Sequence, residues 1–507
     1  MRGTEISSSA KRSKSNKGAR ERGIRTLNLA NDNLANNGAT APAPSEAAPH
    51  DGALVAALPP IAVRGDGATD TVREQLAREE PNGEAHEPDA AAAQELSMRQ
   101  SSSPERSSRP ASSPLASAGP LGMSRSSAPP RSTDLDKPAG DVRLTDHVVF
   151  NDEKLARKYA AEPIPISTLY EAYFDGSIDI PGDLVEFLQS RNAFVKHTIT
   201  RQHLQWAVTN FVPEMVAHSR EADARSAREL FDDRGEDFFK SFLGERVAFT
   251  CAYFDSPADT LDNGQDQMFA RICDKIGLRA SHRVLDIGCG WGAFLGHVAG
   301  TRGAEGVGTT LSRAQEIYAN RRFAELGVER QARSVLLDYR DLPSGTYDRI
   351  VCIEAVERVG VKNLKGFFEK LRDQLVDDGL FFLQWTGLRR RLQPEDLMWG
   401  LFMNKHIFPG ADAALPLSSM LKVAEKSGWE VQGVENVSRH YGHTLRLWRA
   451  NWESHRTRVV AEHGERWFRI WQFFLAWSQL VAEQGSAACF QVVMNKNLDS
   501  LDRRSLL

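Results

Sequence analysis

The chain has 507 residues and a net charge of −4 at neutral pH, with 63 basic against 67 acidic side chains, so no global basic field points to nucleic acid. Its apolar content of 41% is enough for two or three domains with sizeable cores, yet no apolar run approaches the roughly 18 residues that cross a bilayer. The five cysteines, Cys251, Cys273, Cys289, Cys352 and Cys489, follow no metal-ligand spacing; with no leader pattern they read as reduced thiols of a cytoplasmic protein, and no metal site is expected.

Residues 1–140 are Ser, Ala, Pro and Gly tracts such as SSSPERSSRPASSPLASAGP, too poor in apolar side chains to offset the entropy of ordering, and are expected to be a disordered tail. Its basic stretch KRSKSNKGARERGIR (11–25) reads as a solvated tail or a contact for anionic lipid or nucleic acid. Residues 146–245 mix short strand-like and helical patterns, as in STLYEAYFDGSIDIPGDLVEFLQ, and read as a small α+β region. The main domain is expected over 246–497, where strands and helices alternate. RVLDI (283–287), EGVGTTL (305–311), RSVLLD (333–338), DRIVCIEA (348–355) and LFFLQW (380–385) are the strand candidates. Helical patterns lie between them at 294–301, 313–327 and 364–376. This rhythm predicts a parallel, doubly wound α/β sheet. Further on, RWFRIWQFFLAWSQLVA (466–482) carries aromatics at helical spacing and reads as a core helix rather than a membrane anchor.

In such a sheet the ligand lies beyond the carboxyl ends of the strands. The first strand ends in DIGCGWG, with Gly288, Gly290 and Gly292 at alternate positions after Asp286. A phosphate-binding loop needs a Lys that is missing here, and a dinucleotide loop needs a different glycine spacing. An acid followed by G-x-G-x-G resembles the first motif of class I S-adenosylmethionine (SAM) methyltransferases. That resemblance places Asp286 at the methionine amino end and packs Gly288, Cys289, Gly290 and Gly292 under the ligand. GVGTTLSRAQ (306–315) offers Thr309, Thr310 and Gln315 to the ribose diol in place of the usual acid, and LLDYRDLP (336–343) offers Asp338 and Tyr339 to the adenine, although a plain surface turn fits that stretch equally well.

Several blocks, taken together, resemble the cyclopropane fatty acid synthase family of SAM-dependent lipid methyltransferases. They are FTCAYF (249–254), VLDIGCGWG, G-x-T-L-S-x-x-Q, DYRDL, E-x-V-G and IFPG, in the family's order. Longer blocks, FLQWTGLRRRLQPEDLMWGLFMNKHIFPGADA (382–413) and RHYGHTLRLWRANWESH (439–455), are similar to the fungal sphingolipid C9-methyltransferase branch. The resemblance implies a class I Rossmann-like fold with a helical lipid-binding elaboration. It also implies transfer of the SAM methyl group to an alkene of a lipid chain, with Phe249 and Thr250 beside the cofactor.

Methyl addition leaves a carbocation, so a base must then take a proton. In cyclopropane synthases that base is thought to be bicarbonate, and the resemblance carries its binding set to Cys251, Glu357 and Tyr441. The family histidine becomes Gln384, which bonds but carries no charge, and this puts both bicarbonate and ring closure in question. The leading expectation is a cyclopropane synthase-like enzyme acting on unsaturated phospholipid chains. The alternatives are a sphingolipid C9-methyltransferase-like enzyme with a branched product, and an amine N-methyltransferase. Peripheral contact with the inner membrane face is expected through Arg389, Arg390 and Arg391 and the aromatics Trp399 and Phe402, with a solvated basic loop as the bland alternative.

Overall fold

The computed structural model describes residues 143–200, 219–343, 345–412 and 415–506. The expected tail, its basic stretch and part of the 146–245 region (201–218) lie outside the described residues.

A seven-stranded sheet organises the molecule. Its strands are β1 (Arg283–Ile287), β2 (Glu305–Thr310), β3 (Ala332–Leu336), β4 (Tyr347–Ile353), β5 (Leu375–Leu388), β6 (Trp429–Asn436) and β7 (Ala487–Lys496), in the order β6-β7-β5-β4-β1-β2-β3. β1 to β5 run parallel, as the alternating sequence rhythm requires. β7 pairs antiparallel with β5 and β6 antiparallel with β7, so the sheet is mixed. The two C-terminal strands were not among the expected ones.

Twelve helices matter here: α1 (Ile166–Phe174), α2 (Leu184–Gln189), α3 (Arg220–Ala227), α4 (Gly235–Leu243), α5 (Leu261–Lys275), α6 (Ala293–Arg302), α7 (Arg313–Glu325), α8 (Leu364–Gln374), α9 (Pro394–Phe402), α10 (Leu417–Lys426), α11 (Ser438–Ser454) and α12 (Glu465–Glu483). α6, α7 and α8 are the predicted crossover helices. Side-chain caps fix where α5 and α7 begin: the Thr260 hydroxyl accepts from the Asn263 N–H at 3.2 Å, and that of Ser312 from Gln315 N–H at 3.1 Å. β5 is buried along most of its length because parallel and antiparallel neighbours flank it and helices cover its faces.

The N-terminal region does not stand apart from the rest. Tyr170 and Phe174 on α1 meet Phe402 and Phe473 at ring separations of 5.3 and 5.8 Å, in one apolar cluster with Trp477. α12 supplies the other side of that cluster; Phe468, Trp471, Phe473 and Trp477 are wholly buried. It is a core helix, as its spacing predicts. Among the described residues no helix is long and apolar enough to cross a membrane. Two expected membrane contacts are corrected by the packing: Trp399 is buried, its indole N–H donating to Ser478 at 3.4 Å, and Phe402 is fully covered. Arg389, beside them, is paired with Asp396 at 2.7 Å.

Candidate active site

β1 delivers Asp286 and then breaks into the glycine turn. Gly288, Gly290 and Gly292 have φ of +74°, +53° and +79°, the left-handed region that side chains disfavour. A Cβ on Gly288 would lie 2.4 Å from the Ala355 Cβ, and one on Gly292 would lie 2.8 Å from Ala319 and Phe323, so these two glycines let the turn pack against α7 and the β4 loop. A Cβ on Gly290 would meet nothing within 4 Å, because this peptide borders the cavity. Cys289 anchors the turn through its N–H, which donates to the Thr309 carbonyl at 2.9 Å. Its thiol faces the Ser334 hydroxyl at 3.3 Å.

The turn opens onto a cavity of about 380 Å³. Asp286, Thr309, Thr310, Gln315, Asp338 and Tyr339 line it, and so do Phe231, Phe249, Met403, Phe408, Trp448, Phe474 and Val481. A polar ligand site and an apolar chamber are therefore continuous. Trp448 and Phe249 stand edge to face at 5.5 Å, which gives the chamber a rigid aromatic wall.

The residues fit SAM on three observations. The Asp286 carboxylate is buried, and one of its oxygens has no partner. That burial pushes its carboxyl up to about 7, a cost that an ammonium group would relieve. The bare face of Gly290 lets a ligand lie against the backbone. Thr309, Thr310 and Gln315 are gathered at the end of β2, but the Thr310 hydroxyl already donates to Gln315 at 2.7 Å. Asp338 is likewise engaged: it accepts from the Arg340 N–H and guanidinium at 2.9 and 2.8 Å, and Arg340 also holds Asp223 at 2.8 Å. Burial opposes the charge on Asp338, but the Arg340 bonds prevail and hold its carboxyl below the usual range.

The four expected catalytic positions converge less evenly. At their centre sits Glu354, which the sequence shows only as part of the strand candidate DRIVCIEA and to which no role was assigned. It lies just past the end of β4 at φ +51°, its N–H donating to the Gln384 carbonyl at 2.8 Å. Its Oε1 accepts from Thr250 Oγ1 at 2.6 Å, from the Cys251 N–H at 2.9 Å and from Gln384 Nε2 at 2.7 Å. Its Oε2 accepts from the Tyr441 hydroxyl at 2.7 Å. Cys251 contributes its backbone here, while its thiol turns to the Ala252 carbonyl at 3.2 Å. Burial raises that thiol's pKa, so it behaves as a small neutral side chain.

Gln384 is held in its donating orientation from behind. Lys275 donates to Gln491 Oε1, Gln491 Nε2 donates to Gln384 Oε1 at 2.8 Å, and Gln384 Nε2 reaches Glu354. Because an ammonium can only donate, it orients both amides in turn. Gln491 and Gln384 are register partners on β7 and β5, a pairing that no local pattern reveals. Glu357 lies apart from this set. Its Oε1 accepts from the Thr386 N–H at 2.7 Å and its Oε2 is buried without a partner. Burial, then the charge of Glu354, pushes its carboxyl up to about 8.

Fold, glycine turn and cavity together define a class I SAM-dependent methyltransferase. The family model described as mycolic acid cyclopropane synthetase matches residues 218–492, more than half of the chain, and the chain belongs to that family. The chain is 40% identical over 369 residues to the sphingolipid C9-methyltransferase of Komagataella phaffii, covering 70% of this chain and 75% of that one. The cyclopropane synthase MmaA2 from Mycobacterium tuberculosis superposes with a TM-score of 0.52 at 25% identity, covering 55% of this chain and 99% of that one. Mycolic acid cyclopropane synthase CmaA1, solved with SAH and CTAB, gives 0.52 at 26% identity, covering 54% of this chain and 98% of that one. The chain is thus a SAM-dependent lipid methyltransferase.

Proposed function

We propose that the enzyme methylates a carbon–carbon double bond in the chain of an unsaturated sphingolipid and releases a methyl-branched alkene. The observation that carries this reading is the continuity of the glycine-turn site with an aromatic-walled chamber, which lets an alkenyl tail lie against the methyl donor. The similarity to sphingolipid C9-methyltransferases favours this substrate and product over the ring-closed phospholipid expected first from the sequence. Gln384 in place of the family histidine supports the same choice.

When bound, SAM supplies an electrophilic methyl group that an alkene can attack. The chain's own part is to hold and exclude. Asp286 and the Gly288–Gly292 turn would hold the donor, and Phe249, Phe408, Trp448 and Phe474 exclude water and confine the tail. Aromatic faces also stabilise the cation that follows methyl addition. Membrane contact is proposed at the surface from which a lipid enters.

The test is lipid mass spectrometry of a host that makes sphingolipids with an unsaturated sphingoid base, with and without the gene. A gain of about 14 mass units (one CH₂) on the sphingoid base, with hydrogenation showing that the double bond persists, is the expected result. Mass gain on phospholipid acyl chains alone, with the unsaturation lost, would return the assignment to ring formation.

A further inference from the structure

We propose that Glu354 is the catalytic base of this enzyme, its carboxylate standing where bicarbonate was expected. The inference rests on the function proposed above, since only methyl addition to an alkene needs a base at this step. Bicarbonate does not fit the residues assigned to it. The Gln384 amide and the Tyr441 hydroxyl already donate to Glu354, as does the backbone of Cys251, whose thiol faces elsewhere. Of the expected set only Glu357 remains, and it lies apart, with its Oε1 already accepting from the Thr386 N–H at 2.7 Å.

The bonding of Glu354 is uneven in a way that suits a base. Oε1 receives three donors within 2.9 Å, which fills its lone-pair directions. Oε2 receives one strong donor, Tyr441, and a long contact from Thr386 Oγ1 at 3.4 Å. Oε2, with one short donor against three on Oε1, is the oxygen with room for a proton once the long Thr386 contact gives way. Glu354, Thr386 and Tyr441 all line the cavity in which the alkene would lie. The left-handed backbone at Glu354 is costly for a side chain with a Cβ, and the five bonds made by this one residue hold it there.

The proton step balances within the site. After methyl addition the positive charge sits on the alkene carbon that did not receive the methyl. The C–H bond of the methylated carbon breaks, and its electron pair restores the double bond. The proton goes to Glu354 Oε2, leaving a neutral carboxylic acid and the branched alkene.

The experiment uses the full-length chain with vesicles containing a sphingolipid with an unsaturated sphingoid base, in buffer stripped of carbon dioxide. Wild-type turnover is expected to be the same with and without added bicarbonate, and titration of bicarbonate into the SAH-loaded protein should give no heat. E354Q should lose on the order of 10³-fold in turnover, in the range that general bases contribute, while SAH affinity is kept. E354G, which opens the slot, should bind bicarbonate with measurable heat and regain at least about tenfold in rate when it is added. Bicarbonate dependence of the wild type overturns the proposal without recourse to any variant, as does an active E354Q. If the wild type methylates no unsaturated lipid, the function proposed above fails, and the bicarbonate titrations still show whether Glu354 fills the slot.

Discussion

Replacing Asp286 with Asn separates the cost of the cofactor site from its use. The carboxyl is displaced by burial from an ordinary 3.8 to about 7. Between those values the unfolded chain has released its proton and the folded chain has not, so stability falls as pH rises from about 4 to about 7 and is flat above. A gap of about three pH units, at roughly 1.4 kcal/mol each, sets an upper bound of about 4 kcal/mol on the penalty at pH 8. D286N removes the charge and keeps the shape. Its cofactor-free form should melt several degrees above the wild type at pH 8, at roughly 2 °C per kcal/mol for a chain of this size, and match it near pH 4. The same change takes away the partner of the donor's ammonium group, so SAH affinity should drop by about 100-fold, as loss of a buried charge pair does. Melting curves at pH 4.5 and 8 and calorimetric titration with SAH measure both effects. A variant no more stable than wild type at pH 8, or one that binds SAH as before, would refute the placement of an unpaired carboxylate at this position.

Two further changes probe the surroundings. Glu357 is pushed up to about 8 and is therefore protonated at pH 7, so E357Q should turn over within about threefold of wild type there, and its stability should fall less than the wild type's between about pH 4.5 and 8, keeping only the share due to Asp286; a loss beyond 100-fold at pH 7 would assign Glu357 a charged role. Gly288→Ala forces a Cβ to 2.4 Å from Ala355 at positive φ, and should cost about 1–3 kcal/mol in urea unfolding and abolish SAH binding; unchanged binding would show that the turn tolerates the shift.

The candidate donor turn was legible because it is local. Asp286 and Gly288, Gly290 and Gly292 lie within seven residues, where strand, turn and helix are each a short-range pattern, and the structure returns the expected β1, α6 and β2 almost residue for residue. Amphipathic periodicity placed α12 in the core for the same reason. Other features needed the sheet to close. β6 and β7 are separated by two long helices and pair antiparallel at the edge, so nothing in the parallel rhythm announced them. Trp399 and Phe402 look like interfacial aromatics in sequence, and only the packing of α1 and α12 around them shows otherwise.

By itself, then, the amino-acid order determined the fold class, the glycine turn and the family, since each is written in contiguous residues whose spacing reports a backbone geometry. Which carboxylate occupies the centre of the site was decided by tertiary structure. Glu354 and Glu357 are three positions apart and alike in chemistry, and only the meeting of β4, β5 and α11 with the Thr250–Cys251 segment brings four donors to the first and leaves the second nearly bare. Hydrogen-bond satisfaction in a buried site depends on what four distant segments place within 3 Å, and that sum has no signature along the chain.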